Sequence, residues 1–185
     1  MLTREEAYKL LCDHVAAENL RKHCIATEAI MRALARRLGR DEELWGIVGL
    51  LHDLDYERTA DSPPDHTRET CEILREKGFP EEALTAIREH NAEALGIPRE
   101  SEFGIALACG ETITGLIVAT ALVMPDKKLA SVKAKSVLKR MKKKDFARAV
   151  SREIIRECER IGIPLEEFVD LCLEAMRGVS DKLGL

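Results

Sequence analysis

Aromatic residues make up only 4% of this 185-residue chain, so it has little material for the stacking platforms on which single-stranded nucleic acids are held. Leu, Ile, Val and Ala must fill its interior instead. There is no low-complexity tract, and 6 prolines and 11 glycines do not describe a disordered or collagen-like chain. No two of the six cysteines (12, 24, 71, 109, 158 and 172) have CxxC spacing, which leaves neither a zinc knuckle nor a redox motif and favours small, reduced, structural thiols. The opening run MLTREEAYKLLCDH carries acids where a secretory signal needs a basic and then an apolar stretch. No targeting peptide is read there, and a cytoplasmic location is expected. Long apolar alternation punctuated by Asn-Gly or Asp-Gly is missing too, so nothing signals a sheet.

What the chain does have is a 3.6-residue apolar period in nearly every segment, with 45% hydrophobic residues, enough to bury one sizeable core. The expected fold is all-α, a single-domain helical bundle of about eight or nine helices. They are predicted at about 3–14, 19–39, 41 to the His52–Asp53 pair, 65–77, 80–91, 101–123, 128–142, 146–160 and 164–183. The segment 105–124 is apolar enough to raise a membrane span, but Glu111 sits inside it, and a carboxylate at bilayer depth is costly. A central core helix is the better reading, and Glu111 then needs a partner or a metal.

Net charge is −4, from 29 basic and 33 acidic side chains, but residues 127–144 hold nine basic residues and no acid. The protein is therefore acidic with one basic band. The band reads first as a solvated helix face and second as an attractor of an anionic substrate or nucleic acid; with no aromatic residue interleaved among the lysines, nucleic acid is not an expected partner. Nor is a membrane.

The five histidines are the most informative feature. His52 and Asp53 adjoin at the end of a strongly apolar helix, where the backbone can bend and two neighbouring side chains can converge on one ion. His23, His66, His90 and Glu111 lie on other segments. Together they supply six N and O donors of the kind that hold one or two transition-metal ions. His14 has no place in this pattern and is read as structural.

The order His23, His52–Asp53, His66, His90, Glu111, carried by the runs KHCIATEAIMRAL, GLLHDLDYE and ALACGETITGL, resembles the HD-domain superfamily of metal-dependent phosphohydrolases over about residues 20–125. The remainder, about 126–185, is a helical extension of the same domain. The whole chain is similar to a small bacterial and archaeal subgroup of HD or HDIG proteins in which the HDLDYE and TGLIVATALV runs recur. The resemblance implies that His23, His52, Asp53 and Glu111 match a four-ligand mononuclear set, and that His66 and His90 match the extra histidines of dinuclear members, where the doublet Asp bridges the ions. Two residues depart from the pattern: Glu111 stands where Asp is usual, and Tyr56 replaces the lysine that would meet a substrate phosphate. Arg68, Lys127 or Lys128 is expected to take over that task, with Asp53 and Asp55 as the acids closest to the chemistry.

The implied cofactor is one or two divalent ions of Mn, Fe, Co, Ni or Zn. The implied partner is a small phosphorylated substrate, a nucleotide first among them, hydrolysed by a metal-activated water; a homo-oligomer stays open. Two alternatives share the ligands: an HD-type diiron oxygenase, and a non-catalytic metal- or nucleotide-binding module, to which the departures at Glu111 and Tyr56 would point.

Overall fold

The computed structural model describes residues 2–185, and among them there is no strand. The helices are α1 (Arg4–His14), α2 (Glu18–Leu38), α3 (Glu42–Leu51), α4 (Tyr56–Thr59), α5 (Arg68–Glu76), α6 (Glu81–His90), α7 (Ala92–Leu95), α8 (Glu102–Leu122), α9 (Ala134–Met141), α10 (Arg152–Arg156), α11 (Leu165–Arg177) and α12 (Ser180–Leu183). Tight 3-10 turns occupy Pro63–Asp65, Leu129–Ser131 and Glu157–Ile161. The all-α class is as expected. The twelve helices exceed the expected number because four of them, α4, α7, α10 and α12, are single turns in the connections.

Local chemistry sets the ends. Thr3 and Glu6 form a reciprocal capping box at α1, the Asp41 carboxylate accepts the Leu44 amide at α3, and the Ser101 hydroxyl accepts the Gly104 amide at α8. Gly39, with φ +68°, closes α2 in the left-handed region where a side chain would be strained.

The stretch 146–160 is not the continuous helix that its periodicity predicts. Residues 146–151 form turns, with Ala147 at φ +47°, and the Arg152 guanidinium donates to the carbonyls of Lys143, Phe146, Ala147 and Val150. A side chain there satisfies the groups a helix would have satisfied. Residues 128–133 likewise lie outside α9, where Leu129 and Val132 are buried as anchors.

α8 runs through the centre, packed by α2 and α6 on one side and by the segments α9 to α11 on the other. It is the one described helix long and apolar enough to cross a membrane, and 67% of its most apolar window is buried by the protein itself. Trp45 of α3 stacks on Phe103 of α8 with ring centroids 4.5 Å apart. α2 and α3 approach closely because α3 presents Gly49 to α2: a Cβ there would lie 2.8 Å from Met31 Cγ and 3.0 Å from the Thr27 carbonyl oxygen.

This closeness brings His23 on α2 to His52 at the end of α3. Gly49→Ala should therefore cost stability, because overpacking of about 1–3 kcal/mol outweighs a helix-propensity gain of about 1 kcal/mol. Gly178→Ala, where the nearest atom would be 3.4 Å away, should be neutral or better. Urea unfolding of the two variants checks the contrast.

Candidate metal centre

α3 ends at Leu51, and His52 and Asp53 follow in a turn that takes the chain to α4. The turn places Asp53 on the wall of a cleft about 370 Å³ in volume, beside His23, His66, His90 and Glu111, with His52 buried directly behind it, its Nε2 3.3 Å from that of His23. His23 comes from α2, His66 from the residue after the 3-10 turn, His90 from the last residue of α6, and Glu111 from the middle of α8. All six expected donors thus meet in one place.

Every imidazole has its Nδ1 engaged from behind. His52 Nδ1 donates to the Gly49 carbonyl at 2.9 Å and His90 Nδ1 to the Ile87 carbonyl. His66 Nδ1 donates to Asp55 Oδ1 at 2.7 Å. The Thr114 hydroxyl gives its proton to the Glu111 carbonyl at 2.6 Å, so its oxygen is left to accept from His23 Nδ1 at 3.0 Å. With their Nδ1 protons held outward, all four rings aim Nε2 at the centre, where it is free to bind a cation once any second proton is lost.

The Nε2 atoms then face one another in two pairs: His23 to His52 at 3.3 Å, and His66 to His90 at 3.0 Å. Two bare lone pairs at that separation repel unless a proton or a cation lies with them. Asp53 divides its oxygens between the pairs. Oδ1 lies 3.2 Å from His66 Nε2 and 3.6 Å from His90 Nε2, while Oδ2 lies 3.5 Å from His52 Nε2 and 3.7 Å from His23 Nε2. Glu111 Oε2 is 3.9 Å from His23 Nε2. Ligand atoms of His23, His52 and Glu111 fall within 4.8 Å of one another, and so do those of His52, Asp53 and His90. The donor set, imidazole plus carboxylate without thiolate, fits a divalent transition metal.

The protonation of the metal-free site follows from burial and neighbours. Burial lowers His52 to about 3 and also lowers His23. Burial works against charge on Asp53, but the surrounding imidazoles, His52 foremost, hold it well below the usual carboxylate range. Burial opposes charge on His66 as well, yet its bonds to Asp53 and Asp55 raise it to about 9. Glu111 is raised to about 8, chiefly by burial.

A cation must therefore displace protons from His66 and Glu111. Metal binding at pH 7 is expected to release protons, and affinity is expected to climb as pH rises through about 8 to 9 and then level off. Calorimetric titration in buffers of different ionisation enthalpy counts the protons. Asp55→Asn, which removes the negative charge behind His66 and puts an N–H donor in place of one of the two acceptor oxygens, should diminish both the release and the affinity, the latter by about 10–100-fold.

Asp55 itself is a correction to the sequence reading. It is fully buried, and besides His66 it accepts the amides of Thr67 and Thr70 at 3.2 and 3.1 Å. It positions His66 and does not reach the cleft. Arg68 and the two lysines are not brought to the cleft either. Thr67, at φ +85°, turns the chain so that Arg68 leaves the site, 72% exposed and 3.6 Å from Asp65. Lys127 and Lys128 are exposed beyond the C-terminal end of α8, whose turns carry the chain about 16 Å from Glu111 to Leu122 at a rise of about 1.5 Å per residue. No Lys or Arg lines the cleft among the described residues.

The family profile that matches is the HD domain, over residues 20–122. The chain belongs to the HD domain family. No curated protein and no solved structure matches it. The HD family is one of metal-dependent hydrolases, and this HD domain carries its doublet at the expected helix end.

Several groups that serve the HD centre escaped the sequence reading. Thr114 orients His23, and its position three residues after Glu111 on one helix face was the available signal. Asn91 donates to the carbonyls of Pro63 and His66, tying the His66 segment to the end of α6. Arg99, only 3% exposed, donates to the carbonyls of Glu89 and His90 and to the carboxylates of Glu93 and Glu157. A lone arginine after a proline gives no sequence signal of that kind. The cysteines behave as read: all six are free, five are buried, and burial pushes the Cys24, Cys109 and Cys172 thiols up.

Proposed function

We propose that this HD domain is a divalent-metal-dependent phosphohydrolase that cleaves a small phosphorylated molecule with a metal-activated water. The observation that carries the reading is the pairing of four histidine Nε2 atoms across the two oxygens of Asp53, a donor set suited to one ion or two. Bound there, Mn, Fe, Co, Ni or Zn would lower the pKa of its water and polarise a phosphoryl oxygen.

The chain's own residues hold that chemistry in place. Gly49, Ile87, Asp55 and Thr114 fix the four rings, so the donors need no reorganisation during reaction. His52 and Asp53 are 1% and 6% exposed, which keeps bulk water from the inner face of the cleft. Tyr56, 46% exposed, stands at the mouth against His66 with ring centroids 5.4 Å apart. It offers an aromatic surface where the sequence pattern of the family offers a lysine, so the substrate's negative charge depends on the metal more than on a side-chain cation.

The test is anaerobic phosphate release by protein reconstituted with each metal, over phosphomonoesters, nucleotides and cyclic dinucleotides, with oxygen uptake followed in the iron-loaded form. Chelator-sensitive phosphate release without oxygen is expected. Oxygen consumption with no phosphate release, or binding without turnover in every metal, overturns the reading.

A further inference from the structure

A second cavity, about 530 Å³, opens on the other side of His23. It shares with the metal cleft the His23 ring, and it reaches the Thr114 hydroxyl that orients that ring. Its walls are aliphatic: Val118 and Leu122 from α8, and Leu183 and Leu185 from the end of the chain. Gly115, one residue after Thr114, contributes no side chain. Leu122 is 50% exposed at the rim, an aliphatic surface that no part of the fold covers.

We propose that this groove holds the aliphatic part of the phosphorylated substrate whose phosphate sits at the metal centre. This rests on the phosphohydrolase reading and names its substrate class, an alkyl or similarly apolar phosphoester. The volume lies within the range of about 300–1,000 Å³ typical of ligand pockets. A nucleobase is the weaker occupant, because no Phe, Tyr or Trp lines the groove to stack on it, the one ring there, His23, is held by Thr114 and turned to the metal cleft, and Asn19 is the only amide side chain there to read its edge. The single cation on the groove wall, Lys22, is already bridged to Glu18 at 2.7 Å. A chain leaving the metal centre must first pass the His23 ring, so the shortest alkyl groups end before the groove and longer ones enter it. Once seated, they would also shield the His23–Thr114 hydrogen bond from water.

The experiment uses n-alkylphosphonates, whose C–P bond resists hydrolysis, from methyl to octyl, titrated calorimetrically into Mn-loaded and metal-free full-length protein. Affinity should be flat for the shortest members and then rise about three- to fourfold per added methylene, and it should require the metal. Leu122→Glu, a change at an exposed helix end, and Val118→Ser should each flatten the rise while leaving methylphosphonate binding as it was. Affinity independent of chain length in the natural protein, a rise that persists in both variants, or undiminished binding without metal overturns the proposal. Turnover of alkyl phosphates with no dependence on chain length sinks the groove and spares the hydrolase; chain-length-dependent phosphonate binding with no turnover of alkyl phosphates does the reverse.

Discussion

Asp53→Asn is expected to remove bound metal and phosphoester hydrolysis together while leaving the helices intact. The amide has nearly the carboxylate's shape, so packing in the cleft is preserved, but one of its two arms becomes an N–H donor without negative charge. Whichever way the amide is turned, one imidazole pair loses the oxygen that lies 3.2 to 3.7 Å from its Nε2 atoms. The remaining pair faces a neutral acceptor in place of an anion. Losing a group that merely supports a ligand costs about 10–100-fold in metal affinity, and losing the shared carboxylate should cost more than that. Elemental analysis, phosphate release and circular dichroism on one preparation check it. Full metal stoichiometry in the variant would take Asp53 out of the ligand set.

The reach of the sequence can be judged from the same residues. The ends of α2, α3 and α8 were legible because Gly39, Asp41 and Ser101 act within a few residues of themselves, through a left-handed φ or a side-chain cap. The six donors were legible as a set because imidazoles and acids on separate apolar helices have few other reasons to share that pattern. Direction was not. Asp55 and Arg68 stand one turn from the cleft in sequence, yet the bend after Asp53 buries the first behind His66, and the positive φ at Thr67 sends the second into solvent. Periodicity also misjudged 146–160, where the deciding interactions are Arg152 bonds to carbonyls up to nine residues back. Such contacts belong to the folded chain and have no local signature.

The part of the chain beyond the HD match has its own hold on the metal centre, and Arg99→Met is the variant that should expose it. Arg99 Nε donates to the Glu89 carbonyl at 2.8 Å and Nη2 to the His90 carbonyl at 3.3 Å, so one guanidinium fixes the backbone of the residue that carries an expected metal ligand. Its Nη1 reaches Glu157 at 2.7 Å, in the 3-10 turn after α10, and Arg160 of that turn returns a bond to the Arg99 carbonyl at 2.7 Å. Methionine fills much of the volume but takes the guanidinium from the Glu89 and His90 carbonyls and leaves Glu157, 20% exposed, with Arg160 as its remaining cation at 2.6 Å. Leaving a buried acceptor without its partner costs about 1–3 kcal/mol, and the loosened end of α6 should weaken metal binding by about 10–100-fold besides. Arg99→Lys should recover only part of either loss, since an ammonium cannot span four acceptors in a plane. Glu93 is 60% exposed and can turn to water, so the coupling should reside with Glu157. A double-mutant cycle of Arg99→Met with Glu157→Gln, read by urea unfolding and by metal titration, should give a combined loss well short of the two single losses added. Additive losses would mean that the extension packs beside the HD centre without helping to hold His90.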